Sequence, residues 1–216
     1  MLNIECLKGK FITFEGGEGA GKSTQSKMFV EYLNKNGIKA EWSREPGGCD
    51  EAEEIRSLLV RGSADRWDGV TELLLMYASR RVHTEKKIKP LLKQGITVVS
   101  DRYFDSTFAY QGFGYNLPIE KIESVKKVVL EDFKPDLTFF LDLDVQEGLE
   151  RTDIRGEKNR YEDMKIEFHN RVREGFNYIC EKEKDRCIKI DVGNGKDIDT
   201  IFSEILNKSI EFFNNK

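Results

Sequence analysis

The stretch Phe11-Ile-Thr-Phe-Glu-Gly-Gly-Glu-Gly-Ala-Gly-Lys-Ser-Thr24 decides the fold. Residues 10–14, Lys-Phe-Ile-Thr-Phe, form a short β-rich run with no polar alternation, the pattern of a strand buried on both faces. Residues 22–36 carry Met28, Phe29, Tyr32 and Leu33 at helical spacing and are closed by Gly37. Between strand and helix, Gly16-Gly17-Glu18-Gly19-Ala20-Gly21-Lys22-Ser23 matches G-x-x-x-x-G-K-[ST], with Thr24 following. A strand entering that motif and a helix leaving it are the context a P-loop requires. The glycines let the backbone curl until its N–H groups point inward at phosphate oxygens. The helix start adds the positive end of its dipole. Lys22 supplies charge to the β- and γ-phosphates, and the Ser23 hydroxyl is a candidate Mg²⁺ ligand. ATP phosphates are therefore expected against Gly16, Gly17, Glu18, Gly19, Ala20, Gly21, Lys22, Ser23 and Thr24.

Working outward, strand patterns recur at 40–43, 96–100, 137–143 and 187–191. Helical patterns fill 51–60, 71–93, 104–111, 119–130, 146–154, 165–183 and 197–213, the second of these disturbed near Pro90. Buried strands alternating with helices imply a parallel sheet covered on both faces. No repeat, low-complexity tract or linker breaks the 216 residues. The expectation is one α/β domain over 1–216, a P-loop NTPase-like three-layer domain. It has a five-stranded parallel sheet, helices on both faces and a short lid near 151–161. Ligands in such sheets bind beyond the carboxyl ends of the strands.

Composition narrows the class. Lys+Arg is 35 against Asp+Glu 39, a net charge of -4, which disfavours a nucleic-acid partner but not a small anion held by a few placed cations. The four cysteines, Cys6, Cys49, Cys180 and Cys187, form no Cys-x-x-Cys, and His83 and His169 are the only histidines. A zinc site is not expected, and the cysteines read as reduced cytosolic thiols. No apolar run approaches the roughly 20 residues that span a bilayer, and no secretory leader is evident, so a cytoplasmic protein without a membrane partner is expected.

The ends of the other strands supply candidates for a second ligand. After the second strand comes Ser43-Arg44-Glu45-Pro46-Gly47-Gly48, and after the third Asp101-Arg102-Tyr103. Asp101 stands where a carboxylate holds Mg²⁺ or its water shell. Arg102 is placed to grip a phosphate bidentately. Arg80 lies within the long helix beside Tyr77 and Ser79. The charged stretch 151–161 contains Arg151, Arg155, Gly156 and Arg160 and reads as a lid whose arginines swing onto transferring phosphates. Each also has a plainer reading, as a turn, a surface ion pair or a solvated helix connection. A GTPase base reader is missing, because Asn34-Lys35 is followed by Asn36-Gly37, and Asp153-Ile-Arg-Gly156 fits a switch motif by letters only.

Taken in order and spacing, the chain is similar to thymidylate kinases. The resemblance is carried by residues 11–24, Arg44-Glu-Pro-Gly-Gly48, Tyr77-Ala-Ser-Arg80, Asp101-Arg-Tyr103, Ser106-Thr-Phe-Ala-Tyr-Gln-Gly112 and the stretch 151–161. It implies transfer of the ATP γ-phosphate to dTMP, with Mg²⁺ as cofactor and a homodimer built on long helices such as 71–93. It places Glu18 at the deoxyribose 3′-OH and Pro46 near the acceptor phosphate as a candidate cis-proline. Arg102 would clamp that phosphate, with Arg44 and Arg56 as further candidates. Arg80 and Thr107 would read the thymine edge, Tyr110 would crowd the 2′ position, and Ser106 and Gln111 would complete the substrate set. The family divides by the position of a catalytic arginine. Here the P-loop position is Gly19, so the chain resembles the bacterial-type branch with lid arginines Arg151, Arg155 and Arg160, Arg155 being favoured beside Gly156. One departure is Met76, where the family usually offers a Phe to stack on thymine. Rival readings are a deoxynucleoside kinase with Glu45 as base, a kinase accepting dUMP as well as dTMP, and a non-catalytic nucleotide switch.

Overall fold

The structure, a computed structural model, describes residues 4–63, 66–155, 161 and 164–215. Strand β1 (Phe11–Glu15) is buried at every position and occupies the centre of a five-stranded sheet. Its neighbours are β3 (Thr97–Asp101) and β4 (Leu137–Asp142), with β2 (Ala40–Arg44) and β5 (Cys187–Asp191) outside them, giving the order β2-β3-β1-β4-β5. Every pairing is parallel. The three inner strands are buried throughout, whereas the edge strands β2 and β5 mix buried and exposed positions, as one-sided edges should.

The period of two sorts side chains between the faces. Ile12 and Phe14 of β1 and Leu137, Phe139 and Leu141 of β4 pack with Phe29 and Leu33 of α1 (Lys22–Lys35) and with Ile201 and Ile205 of α9 (Ile198–Asn214). On the other face, Phe11 meets Leu73 and Tyr77 of α3 (Gly69–His83) and Ile122 of α6 (Ile119–Leu130). Phe140 meets Phe176 of α8 (Ile166–Lys182). The remaining helices are α2 (Asp50–Val60), α4 (Lys89–Lys93), α5 (Phe104–Thr107) and α7 (Val145–Arg155). The α/β three-layer arrangement with helices on both faces is as the sequence pattern requires.

Three local features differ from the pattern. The long helix expected over 71–93 is α3 and α4 joined by a π-helical turn, Thr84–Ile88. Pro90 has no N–H to continue the α register, and a widened turn just before it absorbs the mismatch. The helix expected over 104–111 is the short α5 followed by a π-helical segment, Phe108–Gly114. The cysteines are not all separate thiols, because the end of α8 and the start of β5 bring Cys180 and Cys187 to a Cα–Cα distance of 5.2 Å, paired as a disulfide. Neither Cys6 nor Cys49 is in a disulfide.

One contact of the P-loop sets its position against the rest of the fold. Gly19 has φ +69°, and a Cβ there would run into the carbonyl oxygen of Gly148 on α7. A Cβ on Gly148 would in turn meet the carbonyl of Glu18. Loop and helix touch backbone to backbone, and no side chain fits at Gly19.

Candidate active site

The carboxyl ends of β1, β2 and β3 open into one cleft of about 750 Å³. The P-loop forms its floor. Lys22 is folded over the loop with Nζ donating to the Gly17 carbonyl at 2.6 Å. Burial and the neighbouring Arg102 charge lower the Lys22 pKa to about 8. Ser23 donates its hydroxyl to Oδ2 of Asp101, so a hydroxyl and a carboxylate sit together at the end of β3 beside the P-loop.

Arg102 follows β3 at φ +70°, a conformation that an arginine adopts only when the surroundings fix it. Its backbone N–H donates to the Phe14 carbonyl at 2.9 Å, carrying the parallel register one residue past the strand. The guanidinium spans the P-loop and the π-helical segment. Nη1 donates to the Gly16 carbonyl at 2.8 Å and to Ser106 Oγ at 3.1 Å. Nη2 donates to Glu18 Oε1 at 3.0 Å and to the Tyr110 hydroxyl at 3.1 Å. Burial alone would lower its pKa, yet Tyr110, Glu18, Asp101 and Glu15 around it raise it above the ordinary arginine range. Glu18 also accepts from Tyr110 at 2.7 Å. Burial works to raise the Glu18 pKa, but Arg102, Lys22 and the Tyr110 hydroxyl outweigh it and hold the carboxyl at about 2. Behind them Glu15, at the end of β1, accepts from the Tyr103 N–H at 2.7 Å and from Ser106 at 2.5 Å. Burial and the nearby Asp105 push its pKa up to about 8.

The inner wall is built on α3. Arg80 is 2% exposed, and Nε, Nη1 and Nη2 donate to Glu45 Oε2 at 2.6 Å, Thr107 Oγ1 at 2.9 Å and the Tyr103 carbonyl at 3.0 Å. Three of the five N–H groups of the guanidinium are thus engaged. Glu45 also meets His83 Nδ1 at 2.9 Å, and His83 Nε2 meets Ser43 Oγ at 2.6 Å. This corrects one rival reading. Glu45 is not a free base at the cleft mouth, because its two oxygens are held by Arg80 and His83. Gln111 donates Nε2 to Glu72 Oε2 at 2.8 Å, and its buried Oε1 has no hydrogen-bond partner among the described residues. Met76 joins the cleft wall and packs against the cluster of Tyr110, Phe140 and Phe176.

The structure brings Glu18, Gly19, Gly21, Lys22, Ser23, Thr24, Arg44, Pro46, Arg56, Met76, Arg80, Asp101, Arg102, Ser106, Thr107, Tyr110, Gln111 and Arg151 to the walls of this one cleft. Gly16, Gly17 and Ala20 complete the loop beneath. The Glu45–Pro46 peptide is cis, and Arg56 Nη1 donates to the Pro46 carbonyl at 2.8 Å. Arg44 pairs with Glu53 at 3.2 Å. Arg151, expected in a loose charged gap, stands on α7 and pairs with Glu147 at 2.5 Å. The Arg155 side chain and Arg160 lie outside the described residues. Sequence reasoning missed Lys27 and Trp42, which line the cleft with the Lys27 Nζ 4.8 Å from the indole centroid. It also missed Glu15, Glu72 and His83, which sit behind the wall. A signal for two of these was present, since Glu72, Met76, Arg80 and His83 share one helical face at spacings of four, four and three.

A P-loop on a parallel sheet, facing a second group of buried and half-buried arginines, defines a P-loop phosphotransferase with two anionic ligands. Comparison with known proteins narrows this. A family model described as thymidylate kinase matches residues 14–205. The chain is 49% identical over 184 residues to a thymidylate kinase of Caulobacter vibrioides, covering 85% of this chain and 88% of that protein. It is 45% identical over 202 residues to the thymidylate kinase of a Wolbachia of Brugia malayi, covering 92% and 94%. A crystal structure of thymidylate kinase from Ehrlichia chaffeensis superposes with a TM-score of 0.75 at 36% identity, covering 93% of this chain and 98% of that one. The chain belongs to the thymidylate kinase family.

Proposed function

We propose that this chain transfers the γ-phosphoryl group of ATP to dTMP, giving dTDP and ADP, and that each part of the cleft has a distinct share in it. The P-loop from Gly16 to Thr24 holds the ATP phosphates, with Lys22 at the β/γ position. Arg102 holds the acceptor phosphate, with Arg44 and Arg56 nearby. A monophosphate already carries an anionic oxygen, so transfer needs neutralising charge and alignment and no general base. The pairing of Glu45 with Arg80 and His83 supports this reading over a hydroxyl acceptor.

The observation that carries the acceptor assignment is that Arg80 and Gln111 both line the cleft. Arg80 has N–H groups to spare, and Gln111 offers an unpartnered buried acceptor, Oε1. A donor beside an acceptor complements a ring carbonyl beside a ring N–H, which is O4 and N3–H of thymine. Cytosine presents the reverse at both atoms. Tyr110, fixed by Glu18 and Arg102, limits the space at the sugar, and Met76 packs on the base.

Ser23 and Asp101 are the residues that would hold Mg²⁺. Among the described residues no group of three or more His, Cys, Asp or Glu could hold a metal. One hydroxyl and one carboxylate, Ser23 on Asp101, suit an ion that keeps several waters and takes its other ligands from phosphate. When bound, Mg²⁺ would supply positive charge to the donor phosphates beside Ser23 and Asp101. Arg151, Arg155 and Arg160 add positive charge as the lid covers the transferring group. No helix among the described residues is long and apolar enough to cross a membrane; the location proposed for the enzyme is the cytoplasm. Exposed Leu58 on α2 and Val70 and Leu74 on α3 support a homodimer. Chromatography of a reaction with ATP and Mg²⁺ tests the acceptor. Equal amounts of ADP and dTDP are expected from dTMP and nothing from thymidine, and conversion of thymidine to dTMP would overturn the reading.

A further inference from the structure

The Gln111 carboxamide can present either of two faces. Rotating its last torsion by half a turn exchanges Oε1 and Nε2 with almost no change of shape, so only the neighbours decide which atom meets the ligand. The neighbour behind Gln111 is Glu72, in the first turn of α3 and fully buried. Its Oε2 accepts from Gln111 Nε2 at 2.8 Å and from the Tyr161 hydroxyl at 3.0 Å, and its Oε1 accepts from the Tyr115 hydroxyl at 2.8 Å. Both Glu72 oxygens are thus used as acceptors. Turning the amide over would set oxygen against oxygen in a buried place and strand the amide N–H groups on the other side.

We infer that Glu72 is a specificity-determining positioning residue: by accepting from Gln111 Nε2 it keeps Gln111 Oε1 toward the base, and so selects pyrimidines that carry a proton on N3 over cytosine. The inference rests on the reading that Gln111 faces the base of the acceptor. Glu72 need not touch the substrate; it acts through the sense of one amide. Its role follows from geometry: Gln111, Tyr115 and Tyr161 each donate to it, so Oε2 meets the amide as an acceptor.

The test is Glu72→Gln, which keeps shape and volume but lets the residue donate as well as accept. Either sense of the Gln111 amide is then satisfied. The kcat/KM for dCMP is expected to rise about tenfold, the cost of one buried mismatched hydrogen bond. The kcat/KM for dTMP and the KM for ATP should each change by less than about threefold. A general structural lesion would lower both activities and would not raise one. The double variant Glu72→Gln with Gln111→Glu exchanges donor and acceptor across the pair and again leaves an acceptor facing the base, so the gain with dCMP should vanish. Tyr115→Phe removes a hydrogen bond to the same carboxylate without freeing the amide, and the dTMP-to-dCMP ratio should hold; its collapse would overturn the inference even if Glu72→Gln did not fold. If Glu72→Gln leaves the ratio unchanged while Gln111→Leu lowers kcat/KM for dTMP, the inference fails and the base-site reading stands. If Gln111→Leu also leaves dTMP turnover unchanged, the base-site reading fails and takes the inference with it.

Discussion

Replacing Arg80 by lysine tests whether the inner wall depends on a fork of donors or on a charge. Arg80 reaches three acceptors from three separate nitrogens: Glu45 at 2.6 Å, Thr107 at 2.9 Å and the Tyr103 carbonyl at 3.0 Å. A lysine carries its donors on one atom and can keep the Glu45 contact, but not the others at the same time. Two buried acceptors, Thr107 Oγ1 and the Tyr103 carbonyl, lose their cationic donor. The Thr107 hydroxyl can turn to another partner, so the main loss is at the Tyr103 carbonyl. An unsatisfied buried acceptor costs about 1–3 kcal/mol, and the lost charge-assisted bonds bring the expected total to about 2–4 kcal/mol. For a chain of this size each kcal/mol moves Tm by about 2–4 °C, so calorimetry of Arg80→Lys should show a fall of about 4–16 °C. The same variant should raise the KM for dTMP at least about tenfold, because the fork no longer offers spare donors to the base, while the KM for ATP stays within about twofold. A Tm within about 1 °C of wild type would refute the reasoning, since it would mean the three contacts carry no net stability.

Lys22→Ala should remove most of kcat in steady-state assays while leaving the fold intact, because Lys22 is asked to stabilise charge in the transition state. Arg102→Ala should mainly raise the KM for dTMP, and unchanged KM and kcat would displace the acceptor phosphate from Arg102. Glu18 has a folded pKa of about 2 against an ordinary 4.5, so it adds stability above pH 4.5 that is lost as pH falls through 2. That contribution is roughly 3 kcal/mol, and urea titrations should show Glu18→Gln to be flatter than wild type between pH 5 and pH 2. Met76→Phe should lower the KM for dTMP, and an unchanged or raised KM would place Met76 away from the base.

The parts of the molecule legible in sequence are those where a short stretch carries its own physics. The P-loop at 16–24 needs glycines, a lysine and a hydroxyl in one order, and the buried strands around it show no polar alternation. Strand ends then point to Arg102 and Asp101 without further help. What could not be read depends on contacts distant along the chain. Glu45, next to Pro-Gly-Gly, looks like a turn carboxylate until α3 brings Arg80 and His83 against it, 35 and 38 positions away. Glu72 looks like an acidic residue favoured by a helix dipole in the first turn, yet it is buried against Gln111, Tyr115 and Tyr161. The π-helical turns at Thr84–Ile88 and Phe108–Gly114 use residues that suit an α-helix equally well, and only the packing around them selects the wider register. The Cys180–Cys187 pairing needs the close turn from α8 into β5, which no cysteine spacing announces.

The cleft is proposed to phosphorylate a thymine-bearing monophosphate. ADP release measured with ATP and Mg²⁺ across dTMP, dUMP, dCMP, AMP, GMP and thymidine tests it most directly. The highest kcat/KM is expected for dTMP, at least about tenfold above dCMP, with no turnover of thymidine. Equal turnover of dCMP and dTMP, or release of ADP driven by thymidine, would contradict it.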